Sequence, residues 1–294
     1  MSNAVVLTDF GGPEVLRWQE VAPPEPGPGQ VRLKVAAAGV GPTDLAIRSG
    51  HLRAFGAAPG GVLGFEAAGT VDMVGPGVTG VAVGDEIAAQ LLSLGGYAEF
   101  AIAEIWTARP AGVSWEDAAA LPALPASAEA AVRVLDDVRL EGGQTLLLFG
   151  GGGSVGIIAT QLAVARGARV LSVVRGHDER LVGELGAEPV KLGDTVRADA
   201  AIDAAGTGVL RQALAAVGDP GRVVSLSDPR AADFGVRLSG PRPEAAAAAL
   251  AETMQMLAAG RLRLRAQRTL PLPEAAEAHR QLEAGTREKL ILIP

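Results

Sequence analysis

Four consecutive glycines, Gly150 to Gly153, separate five β-prone residues from an apolar run that opens Ser154-Val155-Gly156. Gly151, Gly153 and Gly156 spell G-x-G-x-x-G. Each glycine has a physical job in dinucleotide binding. The first lets the chain turn sharply out of a strand. The second leaves the backbone bare, so that a pyrophosphate can approach. The third lets helix and strand pack closely. The N–H groups and the dipole at the helix N-terminus then favour the anion, which makes Ser154 and Val155 contacts as well.

The same stretch also spells G-x-S-x-G at Gly152, Ser154 and Gly156, the nucleophile elbow of a serine hydrolase. That chemistry needs an acid and then a histidine later in the chain. Only His177 and His279 follow Ser154. His177 precedes most candidate acids, and His279 lies in PEAAEAHRQLEAG, a helical pattern rather than a loop. Nucleotide binding is the better reading.

The elements around the motif support it. Thr145 to Phe149 reads as a strand, and Val155, Ile158, Ala159, Leu162 and Ala163 recur at helical spacing. Gly167 ends that helix, and a second strand follows over 169–174. Further strands at 199–203 and 222–226 alternate with alanine-rich helices, which predicts a parallel sheet with crossovers. Residues 1 to about 118 differ in texture: short β patterns between glycine and proline turns suggest a small barrel. After a helix at 243–259, the segment 262–270, a helix at 273–284 and the strand 289–293 finish the chain.

Composition narrows the classes. At 294 residues there is room for two domains, and 48% hydrophobic with 20% charged residues fits a globular protein. A net charge of −7 and 3% aromatics argue against a nucleic-acid partner. Cysteine is absent, which removes disulfides and thiolate metal sites and fits a cytoplasmic setting. The N-terminus lacks the pattern of a signal peptide. Gly142 to Ala165 carries no formal charge, but its glycines break it into a strand and a helix, so no membrane partner is expected.

The chain resembles the medium-chain dehydrogenase/reductase superfamily, in its zinc-independent quinone oxidoreductase-like branch. The resemblance runs over nearly the whole length. It is carried by FGGPEVL at 10–16, PTDLAIRSG at 42–50, LGFEAAGTVDMVGPGV at 63–78, VGDEIA at 83–88, GGYAEF at 95–100, GGGGSVG at 150–156 and DAAIDAAG at 199–206. It implies an α/β fold: a GroES-like β-barrel catalytic domain and a Rossmann domain with a doubly wound parallel sheet. The expected boundaries are 1–118 for the first, 119–259 for the second, and 260–294 for a segment that returns to the first. The resemblance also implies an active-site cleft between the domains and a homodimer, with Val236-Arg237-Leu238 as a pairing edge strand. Metal is not expected: zinc relatives have a histidine where this chain has Phe65, and the three histidines lack ligand spacing.

The second strand ends at Val174, followed by Arg175. A guanidinium there suits the 2′-phosphate of NADPH, with Arg180 as a second candidate. Asp178 complicates this, because an acid near that position serves the ribose hydroxyls of NAD. The resemblance adds Ser127, Gly206, Ser225, Leu226, Ser227, Arg287 and Lys289 as cofactor contacts. Its typical reaction moves hydride from NADPH to the β-carbon of an enone or enoyl group, or to a quinone; trans-acting enoyl reductases of secondary metabolism belong to it. The substrate is then a small molecule. Gly41 and Ala46 replace an asparagine and a tyrosine common in the family, and Glu129 replaces an aromatic. His51 and Tyr97 are the local candidates for proton donor. The missing contacts keep open an NADPH-binding protein with little catalysis; a different reaction on the same fold, such as an alcohol oxidation or a redox-neutral rearrangement, also stays open.

Overall fold

The computed structural model describes residues 1–53, 57–122, 127–206 and 208–294. By chain contacts it divides into two units, Met1–Pro125 with Ala246–Arg261 and Arg265–Pro294, and Ala126–Ala245 with Leu262–Leu264. Sequence placed the boundaries at 118/119 and 259/260; here most of the helix after Gly240 groups with the first unit.

The N-terminal part runs β1 (Ser2–Leu7), β2 (Leu16–Val21), β3 (Val31–Val40), α1 (Pro42–Arg48), β4 (Glu66–Val74), β5 (Glu86–Gln90), β6 (Phe100–Ala103), β7 (Ile105–Ala108) and α2 (Trp115–Ala120). The middle runs α3 (Ser127–Asp137), β8 (Thr145–Phe149), α4 (Ser154–Ala165), β9 (Arg169–Val173), α5 (Glu179–Glu184), β10 (Glu188–Val190), β11 (Ala200–Asp203), α6 (Leu210–Val217), β12 (Val223–Ser225), β13 (Arg237–Leu238) and α7 (Pro243–Ala258). The chain ends in β14 (Gln267–Pro271), α8 (Ala275–Glu283) and β15 (Lys289–Ile293).

In the first unit a seven-stranded sheet runs β14-β15-β3-β4-β5-β7, with β6 also paired to β3. β15 lies antiparallel to β3, with Leu290 opposite Val40. The C-terminal strand therefore completes a sheet begun by the N-terminal segment. Two bulges in the β3–β4 ladder, at Arg32/Leu33 and Val35/Ala37, bend it. Leu7, Leu33, Ile47, Leu63, Leu91, Tyr97, Leu272 and Leu292 fill the core, none more than 2% exposed.

The second unit is built on a six-stranded sheet, β10-β9-β8-β11-β12-β13, parallel at every junction. Counted along the chain, that is the 3-2-1-4-5-6 order of a doubly wound dinucleotide-binding sheet. β8 reads TLLLF because a central parallel strand is covered on both faces. Leu147 and Phe149 are fully buried, each contributing about 1.5–3 kcal/mol. The order reverses between β8 and β11. Residues just beyond these two strands therefore share the crevice where such sheets bind ligands.

Candidate cofactor site

The glycine loop leaves β8 at that switch point. Gly150 takes φ +83° and turns the chain. Gly153 N–H returns to Gly150 O at 3.0 Å, and Gly153 caps α4 with no side-chain hydrogen bond. A Cβ on Gly156 would lie 2.3 Å from Gly150 O and 2.6 Å from Gly151 Cα. That contact is backbone on backbone, so only glycine fits. A Cβ on Gly151 would lie 1.8 Å from Ser172 Oγ on β9. Gly151 and Gly156 are thus close-approach positions, the turn falls at Gly150, and α4 presents its first turn at Ser154 and Val155.

β11 supplies the opposite rim. Its last residue, Asp203, is fully buried. One carboxylate oxygen accepts the N–H groups of Ala205 at 3.0 Å and Gly206 at 2.8 Å; the other accepts the Ser225 hydroxyl at 2.8 Å. Ser225 Oγ in turn accepts the N–H groups of Ser227 at 3.2 Å and Asp228 at 2.9 Å. Gly206 is in the left-handed region at φ +63°, and a Cβ there would meet Ser227 Oγ at 2.3 Å. One buried acid therefore shapes the two loops carrying Gly206, Leu226 and Ser227. Sequence reasoning missed Asp203, although an Asp followed by Ala-Ala-Gly is a turn signature.

Arg175 lies exposed just past β9, and its carbonyl accepts Asp178 N–H at 2.8 Å. That turn carries the Asp178 carboxylate against the glycine loop, where a Cβ on Gly152 would lie 2.4 Å from Asp178 Oδ2. His177 Nε2 is 3.3 Å from the same oxygen. A cation and an acid thus stand together where the second strand ends. Arg180 is 89% exposed and pairs with Glu184 along α5 at 3.0 Å.

Several expected contacts are turned inward. The Ser225 hydroxyl serves Asp203, as above. Lys289 is buried on β15, ion-paired with Glu66 and donating to Val40 O at 3.1 Å. Tyr97 is fully buried, with its hydroxyl 3.2 Å from His279 Nε2. These side chains act as internal partners, where the sequence led us to expect cofactor contacts at Ser225 and Lys289 and a proton donor at Tyr97. The physical reason is the same each time: a buried polar group needs a partner, and each has one within its own unit. His51 is exposed after α1, its Nδ1 2.6 Å from Ser49 Oγ. Arg287 is exposed, and its carbonyl accepts from Arg265. Ser127 opens α3; its side chain lies outside the described residues.

Glu129 is 2% exposed and pairs with Arg133 one turn along α3 at 2.6 Å. Arg133 also bonds Ser239, and Ser239 donates to Asp137 at 2.5 Å. Burial pushes Asp137 up, but Ser239, Arg242 and Arg237 outweigh it and hold the carboxyl below its ordinary value. The acid that replaces an aromatic is therefore one member of a buried ionic network.

In the first unit, burial pushes Asp44 up to about 7, with Glu66 adding to the rise, while the Gly41 and Gly64 N–H groups and Lys289 pull it down. Burial, and then the Arg48 cation, lower His279 to about 3. Burial also raises Tyr97 well above its ordinary value, helped by Asp44 and Glu66. With Tyr97 on one ring nitrogen and Arg48 facing the other, His279 has none left for a hydrolase triad. Among the described residues no cluster of three or more metal-ligating side chains occurs, and no helix is long and apolar enough to cross a membrane.

Two family models match the chain: the alcohol dehydrogenase GroES-like domain over 27–110 and the zinc-binding dehydrogenase domain over 176–290. A Pseudomonas aeruginosa quinone oxidoreductase is 29% identical, with both chains fully covered. The chain belongs to the medium-chain dehydrogenase/reductase superfamily, in its quinone oxidoreductase-like branch. A 2-haloacrylate reductase from a Burkholderia species is 45% identical over 34% of this chain and 30% of its own. A mycobacterial protein solved in complex with NADPH shares 28% identity at TM-score 0.83, with both chains fully covered. Membership makes the chain an oxidoreductase that uses a nicotinamide cofactor on a small molecule. It also accounts for both sheets, one GroES-like and one Rossmann.

Proposed function

We propose that this superfamily member is an NADPH-dependent reductase of activated alkenes or quinones. The reading rests first on the glycine loop at the switch point of the parallel sheet, where backbone closeness leaves room only for glycine at Gly156 and the Ser172 side chain crowds Gly151. Arg175 supports NADPH over NADH, because a planar guanidinium pairs well with a 2′-phosphate. The quinone and haloacrylate reductases among the relatives support the substrate class. In both substrates a carbonyl or carboxyl group polarises the π-bond that is reduced.

When bound, the nicotinamide supplies hydride. The chain's part is to bind and orient. Gly151, Gly153 and the first turn of α4, with Ser154, Val155 and Gly156, take the pyrophosphate. Arg175 takes the 2′-phosphate; the Asp178 carboxylate beside it suits the free ribose hydroxyls of NADH instead, and the titrations below decide between them. The family resemblance assigns Gly206, Leu226, Ser227, Ser127 and Arg287 to the rest of the cofactor. His51, exposed and hydrogen-bonded to Ser49, is the residue we assign to proton delivery at the α-carbon.

Parallel calorimetric titrations with NADPH and NADH test this. The expected outcome is tighter NADPH binding that weakens at least 10-fold in Arg175→Ala, with NADH unaffected. Equal affinity for both nucleotides would remove the NADPH assignment. Binding without turnover of any enone, quinone or enoyl thioester would favour a nucleotide-binding protein with little catalysis.

A further inference from the structure

The surroundings of His279 determine which ring nitrogen carries its hydrogen. Nδ1 faces Arg48 Nη1 at 3.5 Å. A guanidinium offers donors only, so Nδ1 must present its lone pair. Nε2 then holds the hydrogen and donates to the Tyr97 oxygen at 3.2 Å. The Tyr97 hydroxyl is left to donate to Asp44. Asp44 also accepts Gly41 N–H at 2.9 Å and Gly64 N–H at 3.2 Å.

Above about pH 7, where Asp44 is ionised, every donor in this chain points the same way, from cation to carboxylate. Arg48 is anchored at the other end: its Nε donates to Gly11 O at 3.0 Å and its Nη2 to Glu283. Arg48 and Asp44 are each 3% exposed, and Tyr97 and His279 are fully buried. From neighbouring elements, Glu66 on β4 and Lys289 on β15 also face Asp44. Reversing the chain would turn an Nδ1–H toward a guanidinium. Because arginine keeps its protons, the chain is not a proton conduit.

We propose that Arg48 locks His279 in its Nε2–H tautomer, and that His279 is thereby a positioning residue for the turns at Gly41 and Gly64. Those turns hold the start of α1, which carries Ala46. Positions 41 and 46 are where the family resemblance implies substrate contacts, so the catalytic consequence rests on the reductase reading. The tautomer itself does not.

Long-range proton–nitrogen spectra of the 15N-labelled full chain test the lock. Only three histidines are present, so His51→Asn and His177→Asn assign the third. One ring is expected to stay neutral, Nε2–H, from pH 5 to 8. An Nδ1–H or charged His279 ring would overturn the proposal. Tyr97→Phe, which keeps the ring and removes the hydroxyl, is expected to shift the Gly41 amide resonance; an unmoved Gly41 would also overturn it.

Kinetics supply the second arm, with NADPH and 1,4-benzoquinone. His279→Gln keeps a donor for Tyr97 and is expected to stay within 3-fold of the parent kcat/KM. His279→Leu is expected to lose at least 10-fold with NADPH affinity unchanged. Equal loss in both would reduce His279 to core filling. A parent chain that reduces no quinone or enone would sink the reductase reading, while leaving the tautomer result standing.

Discussion

Gly151 shows how a single hydrogen in place of a methyl decides local structure. Gly151→Ala would drive a Cβ to 1.8 Å from Ser172 Oγ and 3.2 Å from Ser172 Cβ. It is expected to lower the melting temperature and weaken nucleotide binding. Adding Ser172→Ala removes the first clash but not the second, so the double variant should recover part of the loss in a thermal melt. His279 makes a second prediction at this scale. Its folded value is depressed to about 3, against about 6.5 when unfolded. Above pH 6.5 both states are neutral and nothing is gained or lost. Below it the unfolded chain binds a proton that the folded chain does not, so stability drains as pH falls toward 3. Asp44 works in the opposite sense: raised to about 7, it holds a proton in the folded state that the unfolded chain sheds above about 4. The two offset one another between about pH 4 and 6.5 in the parent. His279→Gln removes only the first. Its stability relative to the parent should therefore rise by up to about 1.4 kcal/mol per pH unit below 6.5. Calorimetric melts at pH 7.5 and 5 check this; a constant difference would show that His279 titrates freely.

Helix α3 is tied to β13 and the segment after it through charge. Glu129, Arg133, Ser239, Asp137 and Arg242 form one connected set, with Glu129 Oε2 and Arg133 Nη2 buried and without a hydrogen-bond partner among the described residues. Removing one member of a buried pair strands the other, which costs about 3–5 kcal/mol, whereas removing both is often close to neutral. Arg133→Leu is therefore expected to lower the urea midpoint of the second unit sharply. Glu129→Leu with Arg133→Leu should restore most of it. If the double variant is as unstable as the single one, the network holds α3 through Ser239 and Asp137 instead.

For the whole molecule, β13 ends the parallel sheet with Leu238 52% exposed. An open edge carrying an apolar side chain invites pairing with another chain. Two copies joined there would share one isologous contact. We therefore propose the homodimer implied by the family, with Leu238→Lys shifting it toward monomer in sedimentation velocity. A parent chain that sediments as a monomer at tens of micromolar would remove the edge from consideration.

The glycine loop and most strands of the parallel sheet could be read in advance because their signals are local. Four glycines after TLLLF, and apolar residues at period 3.6, report the conformation of neighbouring residues. The short strands β7 and β10 left no such signal, since a strand of three or four residues shows too little alternation. Family resemblance carried the GroES-like sheet, whose β15–β3 pairing joins residues some 250 positions apart. What sequence alone determined was the glycine loop, the alternation of strand and helix, and the residue types available for chemistry. Only the tertiary structure decided which polar side chains face inward. Tyr97, Ser225 and Lys289 could each be read as reaching a ligand, and Glu129 as a lost aromatic contact. The structure buries each of them and gives them partners such as His279, Asp203, Arg133 and Glu66. A side chain's partner is set by which strands lie side by side, and no local spacing encodes that.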